Sequence, residues 1–186
     1  HMRDYAGCYQ GLTTGDDPRL KRQVWEIESL HSHFPQWNRL QGPSQNKGYY
    51  AGRENLVDSR IITGELKTGA LRGREAWGKM GVAVDRVASL SPAVYSGDYY
   101  HSLIPVLVPK KEYSLPAIYA FATSEELRNS ARSANQALSI DNGYFEKFEF
   151  DLVHSSGFLG ATKSNVRQLV AVIAAHAPGG DAQIQR

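Results

Sequence analysis

The stretch LPAIYAFATSEELRNSARSANQAL, residues 115–138, decides the fold class of this chain. Apolar side chains crowd the segment after Pro116, which suits a short helix because proline is tolerated in the first helical turn. Thr123 and Glu126 then form a capping-box pattern. An apolar face continues at helical spacing through Leu127, Ala131, Ala134 and Leu138. We therefore predict helix over residues 116–138.

Strand-like segments lie on both sides of this helical stretch. Three β-prone segments precede it, at residues 81–84, 93–95 and 103–108. Pro105 and Pro109 place the last of these at a sheet edge or in a short strand. After the helix, residues 144–150 alternate, with Phe148 and Phe150 on one face, which predicts a further strand.

The two ends of the chain each predict one more helix. Asp17 is placed to cap a helix over residues 18–30 that begins with Pro18, and Ser164 is placed to cap one over residues 164–176. Between them, eight of the 17 glycines lie from Gly42 to Gly81, a texture typical of loops and short strands. The pattern lacks a regular βαβ rhythm, so we predict an α+β fold with a mixed sheet of short strands.

Composition excludes several classes of protein. The chain has 186 residues, 41% of them apolar and 22% charged, which is ordinary for a soluble globular domain. The net charge of +2 excludes a polybasic tail protein and an acidic disordered one. Cys8 is the single cysteine and cannot form an internal disulfide, which favours a cytoplasmic protein. With no signal peptide or long apolar run, we expect no membrane partner, and residues 1–2 resemble a cloning remnant.

One segment nearly matches a phosphate-binding loop. Residues 73–80 read GREAWGKM, but Met80 occupies the position where such a loop needs a magnesium-binding Ser or Thr. The segment also follows a polar stretch and opens onto the β-prone residues 81–84 instead of a helix. Both departures argue against nucleotide hydrolysis.

A second acidic pattern leaves a metal-dependent nuclease open as an alternative. Two carboxylates, Asp58 and Glu65, lie near Lys67, and such a set is able to hold a divalent cation and a water for phosphodiester cleavage. The same residues also fit a solvated turn. The histidines offer no further ligand set, because only His31 and His33 are close in sequence.

Basic residues dominate the glycine-rich region. Residues 60–86 carry six basic and three acidic side chains, and Lys47 and Arg53 lengthen the basic stretch. Aromatic residues are interleaved with them: Tyr49, Tyr50 and Trp77. Arginine and lysine contact phosphates and base edges, while aromatic rings stack on bases. The pattern indicates either a nucleic-acid surface or a basic, solvated loop face.

Several segments together resemble one family. They are GLTTGDDPR at 11–19 followed by Trp25-Glu26, YAGREN at 50–55, RGREAWGKMGV at 72–82, LPAIYAF at 115–121 with the following SEE, and FEFDL at 148–152. Their order and spacing resemble the target-recognition region of TaqI-like, type IIG and phage-defence N6-adenine DNA methyltransferases. The resemblance covers about residues 7–153 and implies a DNA target-recognition domain over 3–153, with 154–186 as a divergent C-terminal helix and tail.

The resemblance implies a set of contacts to double-stranded DNA. The basic residues expected to contact phosphates or base edges are Arg53, Arg60, Arg72, Arg74 and Lys79. Trp77 is expected either to stack on nucleic acid or to anchor its loop in the core. Thr13, Thr14 and Gly15 are expected to form a turn near the DNA backbone, where the domain joins the methylase domain of the same parent protein.

Two motifs of such enzymes are missing from this chain. It has no Pro-Pro pair for the loop that grips a flipped adenine, and no G-x-G cofactor motif. We therefore expect no catalysis and no cofactor here, with S-adenosylmethionine bound by the methylase domain of a bacterial restriction–modification or phage-defence enzyme. A protein-interaction module that docks a partner subunit remains the other alternative.

Overall fold

The chain folds as an α+β protein with two four-stranded sheets in the part that the structure describes, as predicted. A computed structural model describes residues 1–27, 36–43, 48–86, 90–134 and 142–157. In chain order the strands are β1 Ala6–Tyr9, β2 Lys21–Gln23, β3 Trp37–Gln41, β4 Asn55–Asp58, β5 Gly81–Val84, β6 Pro92–Tyr95, β7 Tyr99–Tyr100 and β8 Val106–Pro109.

The two sheets differ in the direction of their strand pairs. The first sheet has the order β1-β8-β5-β6 with every neighbouring pair antiparallel. The second has the order β2-β4-β3-β7, and only its β3–β7 pair is parallel. The strand β8 was predicted to be short or at an edge; it has four residues and lies inside the first sheet.

Helices are short and concentrated after the last strand. They are α1 Asp17–Leu20, α2 Ser59–Thr63, α3 Leu115–Thr123, α4 Glu125–Ala134, α5 Asn142–Lys147 and α6 Leu152–Gly157. Single 3-10 turns lie at Met2–Asp4, Val24–Glu26, Arg74–Ala76 and Glu112–Ser114. Within the described ranges, no helix is long and apolar enough to cross a bilayer.

Both faces of the first sheet are buried. Because side chains alternate along a strand, each strand supplies residues to both faces. One face, here called the helix-covered face, packs Val82, Val84 and Leu107 against the helices. Its helical side consists of Ile118, Phe121, Leu127, Phe145, Phe148 and Phe150, with Met2 also fully buried there. The other, here called the loop-covered face, carries Ala83, Tyr95 and Val106, and the buried side chains of Tyr100 and Ile104 pack on it under the segment around Trp77.

The predicted helix over 116–138 is two helices. Helix α3 is buried on all sides, from Leu115 to Ala122, and it ends where the Ser124 hydroxyl donates to the Phe121 carbonyl oxygen at 2.6 Å. The same hydroxyl then accepts from the Leu127 amide at 3.3 Å. Ser124 is therefore the cap of α4, where the sequence pattern favoured Thr123. Residues 135–138 lie outside the described residues.

The predicted helix over 18–30 is wrong from residue 21 to residue 27, and residues 28–30 lie outside the described residues. Helix α1 ends at Leu20, and residues 21–23 form β2 in antiparallel register with β4. Pairing with a neighbouring strand overrides the local helical spacing, and Trp25, expected beside the apolar helix face, is 73% exposed. The cap is Asp16, which accepts from the Arg19 amide at 3.3 Å, where Asp17 was expected.

The predicted strand over 144–150 is also wrong. Residues Asn142–Lys147 form helix α5, because Phe145 and Phe148 are three apart and both reach the helix-covered face. The alternation of Phe148 and Phe150 therefore lies beyond the helix end. Helix α6 spans the expected domain boundary at 153/154, and the predicted helix over 164–176 lies outside the described residues.

Candidate nucleic-acid interface

The segment 72–79 is fixed to the loop-covered face by a glycine and a buried tyrosine. Gly73 has φ +78°, and its carbonyl oxygen accepts from the Tyr100 hydroxyl at 3.3 Å. A Cβ at Gly73 would lie 2.2 Å from that hydroxyl oxygen, so only glycine fits. The turn Arg74–Ala76 follows, with Ala76 fully buried. Arg72 and Arg74 consequently lie exposed on either side of a fixed point.

Trp77 both anchors this segment and supplies an aromatic surface. Its ring stands perpendicular to that of Tyr99, with centroids 4.7 Å apart, and packs against the loop-covered face. The Arg74 guanidinium lies 5.6 Å from the indole centroid, a cation–π distance. The indole Nε1 is buried and has no acceptor among the described residues. Trp77 therefore packs against the core, and its stacking on nucleic acid stays a prediction.

Close backbone contact joins two loops beside Trp77. The Gly78 amide donates to the Gly97 carbonyl oxygen at 2.9 Å, and a Cβ at Gly97 would lie 2.8 Å from the Gly78 Cα. The loop around Gly97 is held in turn by Tyr95, whose hydroxyl donates to the Asp98 carbonyl oxygen at 2.6 Å. These contacts make the residues 77–79, here called the ridge, a rigid feature.

A concave surface, here called the Trp77 groove, lies on one side of the ridge. It has a volume of about 460 Å³ and is lined by Asn38, Arg39, Trp77, Gly78, Asp98 and Tyr99. Arg39 is exposed on β3, where the neighbouring Leu40 is buried. The sequence analysis did not single out Arg39, because residues 37–41 show no alternation that would mark its exposed side.

Arg53 points into the protein and supports the groove from behind. Its guanidinium donates to the Ser96 hydroxyl at 2.8 Å and to the Val94 carbonyl oxygen at 3.0 Å, and it lies 3.6 Å from Asp98. Burial lowers the pKa of Arg53. The negative charge of Asp98 opposes this shift, and the positive charge of Arg39 adds to it. Arg53 is thus used within the chain, where the carboxylate of Asp98 balances its charge.

Arg60 is engaged in an ion pair on the second sheet. Its Nη2 lies 2.7 Å from Asp58 Oδ2, and its Nε donates to Asp58 Oδ1 at 3.0 Å. These hydrogen bonds hold the pKa of Asp58 below its usual value. Asp58 is 2% exposed and also caps α2 by accepting from the Arg60 amide at 2.9 Å.

The three residues of the candidate metal site, Asp58, Glu65 and Lys67, do not form a single site. Asp58 is occupied by Arg60, while Glu65 accepts from the Thr63 hydroxyl at 2.9 Å and Lys67 is exposed. Across the residues that the structure describes, no three His, Cys, Asp or Glu side chains are placed to hold a metal ion. The geometry therefore offers the nuclease alternative no support.

The turn at residues 13–15 is satisfied internally. Thr13 exchanges two backbone hydrogen bonds of 3.0 Å with Ala70, and its hydroxyl accepts from the same amide at 2.9 Å. Thr14 is buried and its hydroxyl donates to Asp17. Gly15 has φ +76° and packs on Gly69. The turn thus fixes the segment leading to Arg72.

The structure therefore brings together four of the predicted residues and separates the others. Arg72, Arg74, Trp77 and Lys79 share one continuous segment, with Arg72 donating to Gln10 Oε1 at 2.9 Å and Lys79 exposed. Arg39 joins them across the Trp77 groove. Arg53 and Arg60 are committed to acidic partners. Guanidinium groups around an aromatic floor are chemically suited to phosphates and flat bases.

Comparison with known proteins yields no match, either to a protein-family model or to a curated protein sequence.

Proposed function

We propose that this chain is the DNA sequence-recognition domain of an adenine-N6 methyltransferase from a bacterial restriction–modification or phage-defence system, and that it is not catalytic by itself. The observation that carries the proposal is the Trp77 groove, where exposed Arg39 lies beside an aromatic floor of Trp77 and Tyr99 and the Arg74 guanidinium lies 5.6 Å from the Trp77 ring centroid. The resemblance of residues 50–55 and 72–82 to the target-recognition region supports the choice of family.

The proposed mechanism is binding to double-stranded DNA by a preorganised surface. Exposed guanidinium groups of Arg39, Arg72 and Arg74 contact phosphates or guanine edges, as arginines commonly do. The ridge needs little ordering on binding, because glycine contacts and tyrosine hydroxyls already fix it. A methylase domain of the same parent protein, in the cytoplasm, would bind S-adenosylmethionine and act on the adenine that this domain locates.

Fluorescence anisotropy with a labelled DNA duplex, titrated at several salt concentrations, tests this proposal. Arg39→Ala and Arg74→Ala should each weaken binding by roughly tenfold, and the double variant should reduce the salt slope by about two. Arg3→Ala is the matched control, because Arg3 is equally exposed but belongs to the turn beside the helix-covered face. Equal affinities for all of these proteins would overturn the proposal.

The same titration separates the proposal from the protein-interaction alternative. A DNA-binding domain releases counterions when it neutralises phosphates, so its affinity falls steeply with salt. A module that docks a partner subunit would bind the duplex weakly and with no dependence on Arg39 or Arg74. That outcome would exclude the DNA-recognition proposal and favour a module that docks a partner subunit.

A further inference from the structure

A second and larger groove, here called the Lys79 groove, lies on the other side of the ridge. It has a volume of about 830 Å³, and its lining includes Gly7, Tyr9, Gly78, Lys79, Lys110 and Glu112. Gly78 lines both grooves, so the two concave surfaces meet at the ridge. No residue of this groove other than Lys79 belongs to the proposed duplex contacts.

Two glycines give this region its shape. A Cβ at Gly7 would lie 2.6 Å from the Tyr9 hydroxyl oxygen, so the tyrosine ring lies across Gly7 on the groove floor. At Gly78, φ is +72° and no heavy atom lies within 4 Å of a Cβ position. The space beside Gly78, which lines both grooves, is therefore open to an extended ligand that occupies the two grooves together.

The charge and polarity of the Lys79 groove suit a nucleotide. Lys79 and Lys110 are both exposed, and the groove lining includes one acidic side chain, Glu112. The floor between them combines the half-buried Tyr9 ring with apolar atoms of Leu115. Ammonium groups attract a phosphate, and a tyrosine ring stacks on any base because every base has a π face.

We propose that the Lys79 groove binds a nucleotide of single-stranded DNA that continues from a duplex bound at Arg39 and Arg74 beside the Trp77 groove. Lys79 and Lys110 contact its phosphate, and Tyr9 stacks on its base. This inference rests on the proposed function. The groove volume lies within the roughly 300–1,000 Å³ of small-ligand sites, which suits one or two nucleotides. A duplex hides its base faces by stacking them, so only an unpaired nucleotide offers one to Tyr9.

Anisotropy with the full 186-residue chain and two DNA probes tests the inference. One probe is a blunt duplex, and the other is the same duplex with a four-nucleotide single-stranded overhang, tried at the 3′ and 5′ ends. We expect one overhang to raise affinity by about tenfold, as a stacked base typically does. Tyr9→Ala and Lys110→Ala should remove that gain and leave blunt-duplex affinity unchanged.

Neighbouring variants control for folding and for general charge. Lys111→Ala removes the adjacent exposed lysine, which lies 5.8 Å from the Tyr113 ring centroid and does not line the groove, so it should retain the overhang gain. Glu112→Gln removes the repelling carboxylate and should increase the gain by about twofold to threefold. Because Lys110 and Glu112 are exposed, both substitutions leave the core intact.

The outcomes distinguish this inference from the proposed function. No gain from either overhang, or equal effects of Lys110→Ala and Lys111→Ala, would overturn the inference while blunt-duplex binding still depends on Arg39 and Arg74. Loss of that dependence would overturn the proposed function itself. Adenosine monophosphate that competes with the overhang at micromolar concentration would identify a free-nucleotide site and overturn the single-strand assignment.

Discussion

The two faces of the first sheet are both buried, yet different kinds of side chain pack on them. The helix-covered face packs aliphatic side chains against phenylalanines, such as Phe121 and Phe150 with ring centroids 5.4 Å apart. The loop-covered face buries Tyr95 and Tyr100, whose rings lie 5.2 Å apart and whose hydroxyls donate to loop carbonyls. The first face supplies stability, and the second shapes the ridge.

Tyrosine suits the second role because its hydroxyl stays a donor. Burial raises the pKa of both Tyr95 and Tyr100 well above the ordinary tyrosine value. The hydroxyls therefore remain protonated at neutral pH, where they hold the carbonyls of Asp98 and Gly73. A face of phenylalanines would lack the two hydroxyl donors that bond to these loop carbonyls.

Removing a large side chain from the helix-covered face should have the largest effect. Phe121 is 1% exposed, and Phe121→Ala should lower the free energy of unfolding by about 3–5 kcal/mol. Urea unfolding followed by circular dichroism measures this. Arg74→Ala, in the exposed turn that precedes the ridge, should change stability by less than about 0.5 kcal/mol. Similar losses in the two variants would break the division of roles between the faces.

A glycine pair tests the backbone of the loop-covered side. Gly73→Ala combines a left-handed φ of +78° with a clash on Tyr100, so it should destabilise the fold by about 3 kcal/mol. Gly64→Ala has φ +81° but open space around the new Cβ, and it should cost about 1 kcal/mol. Thermal denaturation of both variants measures the difference. Equal losses of stability would show that the Tyr100 side chain moves away from the new Cβ at no measurable cost.

A half-buried carboxyl at the end of β5 makes stability depend on pH. Asp85 shares a small cavity with Gln41, whose buried Oε1 has no donor among the described residues. Burial raises the pKa of Asp85 from 3.8 to about 6. The folded state therefore holds this proton more tightly, and stability falls as pH rises from about 4 to about 6.

Asp85→Asn should relieve this penalty. We expect a gain of about 1 kcal/mol at pH 7, well below the full linkage value because Asp85 is partly solvated. The gain should vanish below about pH 4, where the wild-type carboxyl is protonated in both states. Urea titrations of both proteins across this range measure it. A gain that persists at low pH would instead reflect the amide donating to Gln41.

The smallest expected effect concerns one hydroxyl. Tyr95→Phe keeps the ring in the core and removes the bond to the Asp98 carbonyl oxygen, so it should cost about 1 kcal/mol. Hydrogen exchange should accelerate at the Gly78 amide, which bonds to the adjacent Gly97. Amide protection along α3 should not change. Uniform acceleration across both faces would contradict a local role for the hydroxyl.

Local pattern was sufficient for the strands 81–84 and 93–95 and for the helix after Pro116. Those segments combine β-branched or continuous apolar residues with a proline or glycine at an end, so neighbours along the chain decide their conformation. Residues 21–23 and 142–147 went against prediction. In both, a partner distant in sequence, β4 for the first and the helix-covered core for the second, decided the conformation.

The candidate site divides in the same way. By itself the sequence determined the α+β class, the basic glycine-rich segment and the position of Arg72, Arg74, Trp77 and Lys79 along it. Only the tertiary structure placed Arg39 across a groove from Trp77 and turned Arg53 inward to Asp98. The physical reason is that charge and spacing are properties of the chain, whereas the exposure of a guanidinium depends on which loops pack beside it.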